Sequence, residues 1–176
     1  MRTRLPDSRS ILQVYGVTAV MFAAWTILAF LWKLSAWLLL LNLGEIFTIF
    51  SYAMAANFLE SLLLLAFLLA ACALLPARIL RDHFVVRGTI LAIGLIAALM
   101  AFVGAEMWGE IRTSPGLLIA PFFVLLLTAV VLRLSSRLRV VSSAAWWLSD
   151  RITVFLFLLL PLFVILSTYV ILRNIS

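Results

Sequence analysis

The chain has 176 residues, 66% of them hydrophobic and 11% charged, with a formal net charge of +6. Soluble domains are about 45–50% apolar and about 25% charged, and a water-soluble fold this small has too little interior to hide so much apolar surface. Lipid is therefore the main solvent, and the positive charges, which fall in short segments between apolar runs, mark membrane topology rather than nucleic-acid binding.

The opening "MRTRLPDSRS" is basic and leads into an apolar run. That run is too long for a signal-peptide core and no small-x-small site ends it, so it reads as an uncleaved signal anchor. The first span covers residues 11–41. Lys33 interrupts it late, flanked by Trp32 and Trp37, as in an interfacial belt with a snorkelling lysine. Beyond Lys33 the run is either a tilted continuation or a surface-lying turn. "NLGE", Asn42 to Glu45, breaks it with turn residues, and Glu45 suits the positive end of the next helix.

The second span covers 46–75. As a helix it would rise about 45 Å against a hydrocarbon core of about 30 Å, so it tilts or starts in the headgroup region. Pro76 marks its exit, and 76–87 form a short basic segment, "PARILRDHFVVR". The third span, 88–108, carries Gly88, Gly94 and Gly104 among several alanines, which permits close helix approach and predicts that it is the most buried. "GEIRTSPG" turns the chain into the fourth span, 116–132. Pro121 lies near its start, where first-turn N–H groups lack partners anyway. The segment 133–151, "RLSSRLRVVSSAAWWLSDR", reads as an Arg-rich, Trp-bearing stretch lying on anionic lipid. The fifth span covers 152–172, with Pro161 as a kink.

The reading is thus all-α: a single transmembrane domain over 1–176, a polytopic bundle of five transmembrane helices. Of the 13 lysines and arginines, one side holds Arg2, Arg4, Arg9, Arg78, Arg81, Arg87, Arg133, Arg137, Arg139 and Arg151, and the other only Lys33, Arg112 and Arg173. The positive-inside rule then puts the N-terminus and the segments 1–10, 76–87 and 133–151 in the cytoplasm and the C-terminus outside. The expected location is a plasma membrane of prokaryotic type.

Chemistry is sparse. Glu60 stands inside an apolar run, with Asn57 and Ser61 nearby; it lies near the bilayer midplane if the second span is centred on that run, or just below the outer surface if the hydrocarbon portion is only the last ~20 residues before Pro76. Intramembrane ionisable residues default to functional hypotheses: a proton relay, a cation site or a partner contact. The structural alternative is a neutral carboxyl hydrogen-bonded within the bundle. Glu106 and Glu110 are four apart, hence on one helical face if the helix continues; they suit a weak divalent site or acid–base chemistry, or simply a solvated helix end. Arg133, Arg137 and Arg139 are candidate contacts for a lipid phosphate, with topogenic duty as the alternative. His83 is the only histidine and Cys72 the only cysteine, which excludes bis-histidine haem ligation within the chain, a thiolate metal cluster and an internal disulfide. No GxSxG, Walker loop, HExxH or dinucleotide fingerprint is present, so no catalytic residue, cofactor or metal is expected.

The five-span, inside-to-outside layout resembles the membrane region of lipoteichoic-acid-synthase-like enzymes. The likeness lies in topology alone and carries no residue across; it implies a detached membrane region, since a sulfatase-type domain follows the last span in that family and this chain ends at Ser176. The leading expectation is a non-catalytic accessory or assembly subunit whose partners are membrane lipid and another membrane protein or further copies of itself. The alternatives are a small ion-coupled carrier using Glu60, and a lipid-modifying enzyme using its outer carboxylates.

Overall fold

A computed structural model describes residues 6–74, 80, 83–107, 116–135 and 138–175, with backbone alone for 105–107 and 116–118. These residues form five helices: α1 (Ser8–Leu40), α2 (Leu43–Leu74), α3 (Phe84–Met107), α4 (Gly116–Ser135) and α5 (Arg139–Ile175). Four of them, all but α4, are long and apolar enough to cross a membrane, the make-up of a multi-pass membrane protein. α1 and α5 run parallel, and α2 runs antiparallel to α5. Gln13 near the start of α1 meets Asp150 in the first third of α5, and Thr48 near the start of α2 meets Tyr169 near the end of α5.

The break after α1 has a local cause. Leu41 turns extended, at φ −123°. Asn42 then caps α2 reciprocally with Glu45: the Asn42 N–H donates to Glu45 Oε2 and the Glu45 N–H to Asn42 Oδ1, both at 2.9 Å. This pair satisfies first-turn donors that the helix cannot. α1 continues through Lys33 to Leu40, so the stretch beyond Lys33 is a continuation and not a surface turn.

Two further expectations need correction. The Arg-rich stretch is not a helix of its own: from Arg139 it is continuous with the fifth span in one helix, α5, because nothing between Arg139 and Asp150 breaks a helix. Pro121 sits beyond the first turn of α4, so it removes an N–H that the helix would use. α5 likewise runs on through Pro161.

α1 packs extensively against α2, α3 and α5, and it separates α2 from α3. The small residues of α3 predict the most buried position for that helix. α1 shares it, burying nine residues between Gln13 and Ala23, because it brings small residues of its own. A Cβ built on Gly16 would stand 3.2 Å from Thr153 Cα, so α1 and α5 approach backbone to backbone there. α4 packs on α3, where Gly94 leaves room for Thr128.

One core cluster joins Tyr15, Ala19 and Ala23 to Met54, Phe163 and Leu166. A second joins Val14 to Leu68, Cys72, Leu80 and Phe84 at the Arg-rich end. Many of the described Ser and Thr hydroxyls bond a carbonyl one turn back. Thr18 bonds Val14 at 2.9 Å, Thr128 bonds Val124 at 2.7 Å and Thr153 bonds Ser149 at 2.6 Å. That local bond lets a Ser or Thr sit in hydrocarbon without a tertiary partner.

Candidate functional site

Asn57 and Glu60 are three residues apart on α2, and the bundle treats them in opposite ways. Asn57 points inward and is 6% exposed. Its Nδ2 donates to Thr26 Oγ1 at 2.5 Å and to the Phe22 carbonyl at 3.4 Å. Asn57 is thus a tie between α1 and α2. Ser61 is also buried and bonds the Phe58 carbonyl at 2.8 Å.

Glu60 faces outward. It is exposed and, among the described residues, has no hydrogen-bond or ion-pair partner. The alternative of a carboxyl hydrogen-bonded within the bundle is therefore not what the structure contains. Glu60 stands near the middle of the helices around it. The central residues of α2 are Phe58 and Leu59, and those of α3 are Leu95 and Ile96. Glu60 rims a cleft of about 400 Å³ that Phe22, Leu63, Leu64, Leu95, Ile96 and Leu99 complete. The carboxyl lies near the middle of α2, in a cleft whose other walls come from Phe22 of α1 and Leu95, Ile96 and Leu99 of α3. An acidic side chain at the centre of a spanning helix costs about 2.5–3.5 kcal/mol on insertion scales.

The carboxylate pair is not assembled into a site by the described residues. Glu106 lies in the last turn of α3, where only the backbone is described, and Glu110 falls outside the described residues. Among the described residues, no group of three His, Cys, Asp or Glu is placed to hold a metal ion.

The arginine trio is divided. Arg133 is exposed near the end of α4, Arg137 lies outside the described residues, and Arg139 opens α5. Arg139 lines a cleft of about 330 Å³ with His83 and Arg87 of the α3 start and with Ser135 and Ser142. Sequence reasoning missed His83 and Arg87 as its companions, because only the fold brings residues 83–87 against 135–142. The signal available was that both segments are basic and on the same side.

At the opposite end a polar knot ties α2 to α5. Thr48 shares a hydrogen bond with the Tyr169 hydroxyl at 3.2 Å and accepts another from Arg173 Nη1. The Tyr52 hydroxyl donates to Asn174 Oδ1 at 2.8 Å, and the rings of Phe47 and Tyr169 meet edge to face at 5.2 Å. Each member is occupied by another, as in a structural clasp. No known protein family, curated protein or solved structure matches the chain.

Proposed function

We propose that the chain is a small non-catalytic membrane protein that acts as an accessory or assembly partner of a larger complex, docking through the α2 face around Glu60. The observation that carries this reading is the placement of Glu60: mid-height, outward, beside an apolar cleft and without a partner among the described residues. A group that costly is retained where something offsets it, and the bundle itself does not. The occupant that fits is a transmembrane helix bearing a hydrogen-bond donor or cation at mid-membrane. A second copy is a poorer fit. The described arginines and Lys33 all stand toward the helix ends, level with or beyond Gln13 at one end and Thr48 at the other. A copy therefore brings no cation to that depth. Leu59, Leu63 and Phe67 flank the carboxyl with 61–70% exposure, giving an i, i+4, i+8 ridge for helix packing.

In this reading α4 also crosses the bilayer, making five spans: its 20 residues rise about 30 Å, the thickness of the hydrocarbon core. The gathering of Arg9, Arg87, Arg133, Arg139 and Arg151 at one end supports a cytoplasmic N-terminus and an external C-terminus, in a plasma membrane of prokaryotic type. A reporter fused after Ser176 is expected to be active only outside; cytoplasmic activity would overturn the orientation. The docking reading is tested by Glu60→Gln: the variant should fold normally yet lose a stoichiometric membrane partner on native purification. If it instead abolished a pH-dependent flux in vesicles holding the purified chain alone, a carrier would be the better description.

A further inference from the structure

We infer that the cleft between the α3 start and the α4–α5 junction binds the phosphate of an anionic phospholipid. Three positively chargeable side chains, His83, Arg87 and Arg139, line it together with the hydroxyl-bearing Ser135 and Ser142. The three come from two separate chain segments, so the fold builds the cluster; it is not a run of charge in sequence. Helices α3 and α5 both begin beside it, and neither has an acidic residue in its first turn. Two helix N-termini add their partial positive charge to that of the side chains, against the single C-terminus of α4, which ends at Ser135. Arg139 at the first position of α5 is unfavourable to the helix on its own account; an anion in the cleft reverses that sign. Among the described residues that line the cleft, none is acidic. At about 330 Å³ it lies within the roughly 300–1,000 Å³ typical of small-ligand sites.

A lipid is favoured over a free phosphate by what adjoins the cleft. Arg139 also belongs to a shallow groove along α5 formed with Val140, Ser143, Ala144 and Trp147. Val140 is 80% exposed and Trp147 58%, so an apolar strip leads from the basic cleft along the outside of the helix. A phosphodiester held by Arg87 and Arg139 would lay its acyl chains on that strip, with the Trp147 ring at the interface where tryptophan is enriched. Guanidinium groups suit the planar, multi-oxygen geometry of phosphate.

The test uses the full chain in nanodiscs of phosphatidylcholine, into which phosphatidylglycerol is titrated, with bound lipid counted by native mass spectrometry. One or a few phosphatidylglycerol molecules are expected to be retained in preference to phosphatidylcholine. Arg139→Gln should weaken that retention about tenfold, the loss expected for one charge-assisted hydrogen bond. Arg151→Gln, at the same end but outside the cleft, should leave it unchanged. Arg139 is exposed, so its variant should fold; an unaltered thermal midpoint checks this, and His83→Gln is the second variant. Equal losses for Arg139→Gln and Arg151→Gln would mean diffuse surface charge and would overturn the site. Inorganic phosphate or glycerol 3-phosphate displacing the lipid at millimolar concentration, with Trp147→Ala without effect, would overturn the lipid assignment in favour of a free phosphate.

Discussion

At the Arg-rich end, α1 meets α5 and α3 through glycine, alanine and apolar side chains, with Gly16 against Thr153 and Gly88 against Val14; midway along α3, Gly94 packs against Thr128 of α4. At the other end the same helices draw apart. Past Thr26, α1 turns most of its surface outward, with Leu28, Leu39 and Leu40 between 64% and 86% exposed. There the helices are joined by polar and aromatic contacts: the Thr48–Tyr169–Arg173 knot between α2 and α5 and the edge-to-face pair of Phe30 with Phe50 between α1 and α2. In lipid no hydrophobic force draws helices together, so close backbone packing and interhelical hydrogen bonds must do it. This chain relies mainly on the first at one end, where Gln13 and Asp150 add a hydrogen bond between α1 and α5, and on the second at the other. Glu60 sits between the two, beside the cleft between α2 and α3.

The comparison breaks most readily at the glycines. Gly94→Val drives its side chain into Thr128, whose hydroxyl is committed to Val124. The expected loss is about 1–3 kcal/mol, seen as a lower unfolding midpoint in detergent titration. Gly104→Val is the internal control: among the described residues nothing stands within 4 Å of a Cβ there, and the midpoint should hardly move. If both variants unfolded alike, helix propensity rather than close packing would be the cause.

A smaller effect is expected at Asn57, the tie at mid-height. Asn57→Ala should cost about 0.6–1.7 kcal/mol, the range measured for interhelical hydrogen bonds in membranes. A double-mutant cycle with Thr26→Ala should recover most of that as coupling, because the two side chains bond each other. Smallest of all should be Tyr52→Phe at the far end. Its bond to Asn174 is exposed, and water competes for it, so a change of about 0.5 kcal/mol or less is expected. A larger loss would mean that the far end is held as firmly as the Arg-rich end.

Much of the architecture is legible in the sequence, for a physical reason. Apolar run length, basic loops and the break at Asn42 and Glu45 are local properties, and they locate the helices. What the sequence does not reveal is which way a side chain turns. Asn57 and Glu60 look like neighbours in one polar patch, yet one is a buried tie and the other an exposed group. In a helix apolar nearly all round, no polar stripe marks the inward face. The same gap hid the company of Arg139. Its partners His83 and Arg87 lie more than fifty positions away, and only the packing of α4 and α5 against α3 brings them near.

The central claim is that the Glu60 face of α2 meets another protein inside the bilayer. The most direct measurement replaces Leu63, next to Glu60 on that face, with a photoreactive residue in native membranes and compares it with Leu158 on α5. Both leucines are 70% exposed, so lipid alone would label them equally. The account predicts a discrete protein adduct at position 63, absent at 158, and lost when Glu60→Gln is added. Lipid adducts alone at both positions, or an adduct at 63 that Glu60→Gln leaves untouched, would contradict it.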